Sequence, residues 1–119
     1  MASGTMKMDE SYKKTTFSLN LPSGYSLEQG HSYKLGNLVF IGGIISLPSA
    51  TTAKRVTLSS CVPVEFRTTD RIDFAANDNS ADYAIHGIMA GSNTGNIDFY
   101  RPDTYSLQKI AFSVVYPVI

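Results

Sequence analysis

Tyr33-Lys34-Leu35-Gly36-Asn37-Leu38-Val39-Phe40-Ile41-Gly42-Gly43-Ile44-Ile45-Ser46-Leu47 is the stretch that decides the fold. Most of its apolar residues are β-branched or aromatic, and they sit on both sides of a Gly-Asn pair. Such residues suit a pleated, half-buried surface. Gly-Asn between two such runs suits a tight hairpin turn that needs positive φ. The second run is long, and Gly42-Gly43 inside it predicts a bulge or bend.

The same periodicity extends in both directions. Upstream, Thr15-Thr16-Phe17-Ser18-Leu19-Asn20-Leu21 alternates, placing Phe17, Leu19 and Leu21 on one face until Pro22-Ser23-Gly24 stops it. Downstream, strands are predicted at 54–59, 62–67, 71–75, 83–91, 96–100 and 109–118. The 83–91 run alternates imperfectly, which predicts a central strand covered on both faces. The apolar ending through Ile110, Phe112, Val114 and Tyr116 predicts a packed terminal strand. No window of 11 residues carries an unbroken i, i+3, i+4, i+7 apolar stripe. The expectation is an all-β fold: an antiparallel β-sandwich, jelly-roll-like, with about eight or nine strands. Residues 1–11, with Met at 1, 6 and 8, read as a flexible or appended N-terminus, and 12–119 as a single β-sandwich domain.

Composition narrows the function. Ten Lys and Arg balance ten Asp and Glu, and this zero net charge argues against nucleic acid, which draws its affinity from a basic surface. The longest apolar run, Val39 to Ile45, is far shorter than the roughly 20 residues a membrane helix needs, so no membrane insertion is expected. The one cysteine, Cys61, permits neither an intrachain disulfide nor a Cys-based zinc site. His31 and His86 carry no metalloenzyme spacing. No cofactor and no metal are expected, and no secretory signal is read.

Catalysis finds little support. There is no GxSxG elbow, and Gly91-Ser92-Asn93-Thr94-Gly95 reads as a hairpin connection. Cys61 lies in an apolar context and reads as a small buried hydrophobe rather than half of a Cys61–His86 pair. Among Asp70, Asp73, Asp78, Asp82, Asp98 and Asp103, none stands in an apolar pocket that would raise its pKa for acid catalysis. Asp98 reads as a solvated residue on the polar face of its strand. Binding chemistry is better served. Loops 77–82 and 101–106 concentrate polar and aromatic groups, and loops on a rigid scaffold are where binding tends to reside. The candidate ligand-binding residues are Asn77, Asp78 and Asn79 for hydroxyl groups, Tyr100 and Tyr105 for stacking, and Arg101 with Asp103 for orientation. The 77–82 loop offers oxygen ligands for calcium but lacks the EF-hand order.

The order of motifs resembles a known family. The opening Tyr33 to Gly43, the segment Leu58-Ser59-Ser60-Cys61-Val62-Pro63-Val64-Glu65-Phe66-Arg67, the pieces Ile85-His86-Gly87-Ile88 and Gly95-Asn96-Ile97-Asp98-Phe99, and the closing Ile110–Val118 resemble C-terminal receptor-binding (head or tip) domains of bacteriophage tail-fibre or baseplate proteins. The resemblance implies a small β-sandwich, a homotrimer at the tip of a tail, binding a host cell-surface glycan without catalysis. It further implies contact with other tail or baseplate proteins, and a place in the virion after synthesis in the bacterial cytoplasm. A carbohydrate-binding module of a bacterial enzyme or surface protein, and a purely structural virion domain, are the competing expectations.

Overall fold

The computed structural model describes residues 13–79, 83–102 and 104–118. The predicted terminus at 1–11, the end of the 77–82 loop and Asp103 lie outside them. Eight strands form the fold: β1 (Lys14–Thr16), β2 (Ser26–Leu35), β3 (Leu38–Thr51), β4 (Arg55–Leu58), β5 (Ile72–Asp78), β6 (Ala84–Met89), β7 (Ile97–Tyr100) and β8 (Leu107–Pro117). All pairings are antiparallel. The strands join in one sheet with the order β1-β2-β3-β8-β5-β6-β7-β4. The all-β antiparallel architecture is therefore the expected one.

The two layers come from a single sheet curling over itself. In a flat sheet, β8 and β7 would lie three strand spacings apart, about 14 Å at ~4.8 Å per strand. Yet the Phe99 ring of β7 meets Phe112 of β8 with centroids 5.5 Å apart. Phe74 of β5 closes the trio, 6.0 Å from Phe99 and 5.9 Å from Phe112. Alternation supplies the rest of the interior. On β3 and β8 the facing pairs Val39–Tyr116, Ile41–Val114 and Ile45–Ile110 all turn inward and are buried. Leu58, Val62, Met89 and Ile97 fill the opposite wall.

Local geometry follows sequence chemistry at two glycines. The β2–β3 hairpin turns on Gly36-Asn37 with positive φ at Gly36 only, as a two-residue turn led by glycine requires. The expected irregularity at Gly43 takes the form of a bulge in the partner strand, where Gln29 and Gly30 of β2 together stand opposite it. Gly43 has φ 136° there, and a Cβ would strike the Gly30 backbone.

Four expectations need correction. Residues 62–67 do not form a strand. After Pro63 the chain makes a short 3-10 turn, Val64–Phe66, which buries Val62 and Phe66 and leaves Val64 70% exposed. The upstream strand pairs only through Thr16. Beyond it, residues 17–25 run as an arm whose Phe17, Leu19, Leu21 and Tyr25 pack on the core, with Phe17 stacked on Phe66 at 4.0 Å. The long strand read as far as Leu47 does not end there, since β3 continues through Pro48 to Thr51 and leaves only 52–54 as a connection. Finally, β6 is covered on one face only, with Ile85, Gly87 and Met89 inward and Ala84 and His86 exposed.

Candidate functional site

The register decides what stands together on the outer face. Ala75 of β5 pairs with His86 of β6, His86 with Tyr100 of β7, and Tyr100 with Arg55 of β4. Residues directly opposite in a sheet share a face. The row is thus set by pairings between residues eleven or more positions apart in sequence. Asp73, Ala75, Ala84, His86, Tyr100 and Pro102 line a shallow groove of about 630 Å³ along this row.

The groove combines an apolar wall with a polar cluster. Tyr100 and Pro102 form the wall, and the Arg55 guanidinium lies over the Tyr100 ring at 5.2 Å. On the other side the Asp73 carboxylate accepts from Arg71 Nε at 2.7 Å and from Nη2 at 3.4 Å. His86 Nε2 stands 3.4 Å from the second Asp73 oxygen. The bonded guanidinium holds the Asp73 carboxyl below its usual range, and the same contact raises Arg71. Asp73 is therefore a stable acceptor at the groove edge.

The seven residues singled out from the sequence fare differently. Tyr100 is in the groove. Asn77 faces outward on β5, half-buried between Ala111 of β8 and Ala84 of β6. Asp78 turns the other way and is 1% exposed, its N–H donating to the Tyr83 carbonyl. Asn79 is exposed, and its N–H donates to Lys109 O at 3.1 Å. Arg101 is 4% exposed, and its guanidinium is committed to the carbonyls of Ala53, Thr51 and Tyr105. Tyr105 lies under that guanidinium at 4.6 Å and against Tyr83 at 4.4 Å. Its hydroxyl is buried without a hydrogen-bond partner among the described residues. Asp103 lies outside the described residues.

The Tyr83–Tyr105 contact joins the two candidate loops at one end of the sheet, beside the groove. Asp98 departs from expectation. It is 6% exposed although it points outward, because Arg55 and Thr57 of β4 reach across and donate to its Oδ1. Cys61 is fully buried, and burial pushes its thiol up to about 12, far from nucleophilic. Sequence reasoning missed Ala75, Ala84, His86 and Pro102 as groove residues. The outward alternation of β5 and β6 was a usable signal, but their mutual register was not.

No family model matches the sequence, and no curated protein does. A solved structure shares the fold: the head domain of the lactococcal phage bIL170, considered there for a fold common to the receptor-binding domains of lactococcal phages. The superposition has a TM-score of 0.65 at 18% identity and covers 90% of this chain and all of that one.

Proposed function

We propose that this chain is a receptor-binding head domain of a phage tail fibre or baseplate, attaching the virion to carbohydrate on the host surface without cleaving it. The observation that carries the reading is the fold correspondence with the whole of a phage head domain. The groove supplies suitable chemistry. A sugar offers an apolar CH face to Tyr100 and Pro102 and hydroxyls to Asp73 and His86. Asp73 held ionised by Arg71 is in the wrong state for the general acid that glycoside cleavage needs. The domain acts as a homotrimer attached to other tail proteins. Closed cyclic symmetry brings several weak sites to one surface, where multivalency compensates for modest single-site affinity.

Biolayer interferometry with immobilised bacterial cell-wall polysaccharides tests the reading. Wild-type protein binds, and Tyr100→Ala weakens binding about tenfold by removing the stacking face. Unchanged binding by both Tyr100→Ala and Asp73→Ala removes the groove from the proposal. Light scattering near 39 kDa, three copies of the 13.0 kDa chain, supports the trimer, and 13 kDa refutes it.

A further inference from the structure

The Tyr100 groove continues past β5. Ala75 lines it and also lines a second depression of about 430 Å³, where Asn77 and Ala111 stand outward and Ala76 and Phe112 carry their side chains on the core face. The two depressions meet at this one small residue. Together they cross β8, β5, β6 and β7, three strand spacings or about 14 Å. That span is longer than one sugar ring.

The floor of this trough is made of alanine. Ala75, Ala84 and Ala111 occupy outward positions on three neighbouring strands. Alanine is a poor strand former, and β-branched or aromatic residues would stabilise these positions better. Any of them would raise the floor, and at Ala75 would separate the two depressions. Asn77 is the exception in the row, set between Ala111 and Ala84 with no side-chain hydrogen bond among the described residues. A carboxamide there offers a carbonyl acceptor and an NH₂ donor to a ligand lying on the alanines.

We propose that the two depressions form one trough that takes an extended oligosaccharide, with one sugar against Tyr100 and the next reaching over β5 to Asn77. The inference rests on the carbohydrate reading above and adds ligand length and a distal recognition residue to it. Asn77 acts in this second subsite and makes no contribution to the sugar at Tyr100.

Isothermal titration calorimetry with homo-oligomers of glucose, galactose and N-acetylglucosamine, one to four residues long, tests it. For the sugar that binds, Kd falls about tenfold or more between one and three residues. Asn77→Ala and Ala111→Leu keep the monosaccharide Kd within about twofold and lose the gain with length, whereas Tyr100→Ala weakens every length. Thermal melts establish that each variant is folded, and Asn77→Ala, which only truncates an outward side chain, decides the matter if Ala111→Leu is not. Equal affinity for one and three residues, or a gain with length that survives both distal variants, overturns the trough. Monosaccharide binding unaffected by Tyr100→Ala, or no binding by any oligomer, refutes the carbohydrate groove itself, and the trough falls with it.

Discussion

Replacing Arg101 with methionine separates a structural role from a ligand-binding one. The side chain is 4% exposed and fills its site with a stem that methionine reproduces well. What methionine cannot reproduce is the fork: Nε to Ala53 O at 2.8 Å, Nη2 to Thr51 O at 2.9 Å, and Nη1 to Tyr105 O. Hydrogen bonds to a charged group contribute about 1.5–3 kcal/mol each. Three of them, less the cost of holding the guanidinium out of water, leave a net loss of about 3–5 kcal/mol on substitution. A domain with about 5–15 kcal/mol of stability survives that. Its melting temperature falls by about 10–20 °C at this chain length. Urea unfolding followed by circular dichroism reads the loss directly, with an unchanged m-value. Arg101→Lys recovers less than half of it, because one ammonium cannot meet three carbonyls spread around a planar fork. A loss below about 1 kcal/mol, or full rescue by lysine, refutes the reasoning and implies that water serves those carbonyls equally well. Oligosaccharide binding lost at unchanged stability would instead make Arg101 a ligand contact.

Three further outcomes test other parts of the structure. Gly87→Ala places a methyl group inside the Phe74 ring position; it costs about 1–3 kcal/mol in thermal or chemical unfolding, and Phe74→Leu in the same chain recovers part of it. The Asp73 carboxyl titrates below its ordinary 3.8 because of Arg71. The contribution of the pair is therefore complete above that ordinary value and is lost as pH falls through the lower native one. Carbon-13 NMR of the Asp73 carboxyl shows the depressed midpoint, Arg71→Ala raises it, and a wild-type midpoint at or above 3.8 contradicts the pairing. Cys61, fully buried with its thiol pushed up to about 12, stays silent toward a disulfide reagent at pH 8 and reacts once urea unfolds the chain; rapid reaction of the native protein counts against its burial.

Local pattern carried most of the fold and little of the site. The hairpin at Gly36-Asn37, the long strand after it, β4 to β8 and the buried cysteine follow from side-chain chemistry within a few residues. The errors share a cause. At 62–67, the apolar alternation of Val62, Val64 and Phe66 reads as one face of a strand, but the 3-10 turn after Pro63 buries Val62 and Phe66 and turns Val64 out to solvent. At 17–21, alternation correctly marks residues that pack inward, but pairing depends on a neighbour strand that local sequence does not specify. Asp98 occupies the polar phase of its strand and is still covered, since Arg55 and Thr57 arrive from 43 and 41 positions away. The groove was hidden for the same reason. Ala75, His86 and Tyr100 become neighbours only through strand register, and an alanine gives no chemical signal of its own. Arg101 was legible as important, but its partners are backbone carbonyls, which every residue possesses.

The position of β8 bears on how the molecule comes to exist. It is the last described strand, yet it lies between β3 and β5 and alone connects β1-β2-β3 to β5-β6-β7-β4. Leu38 pairs with Pro117, so closing the sheet joins segments nearly eighty residues apart. Contacts of that separation form slowly. On a ribosome, the first three strands and the next four emerge while β3 and β5 each keep an open edge. An unpaired edge of fourteen residues, as in β3, is a template for strands of neighbouring chains as well as for its own. The arrival of β8 ends that exposure. On this topology, substitutions that slow the insertion of β8 are expected to lower the yield of native domain, through pairing among copies, before they change its stability.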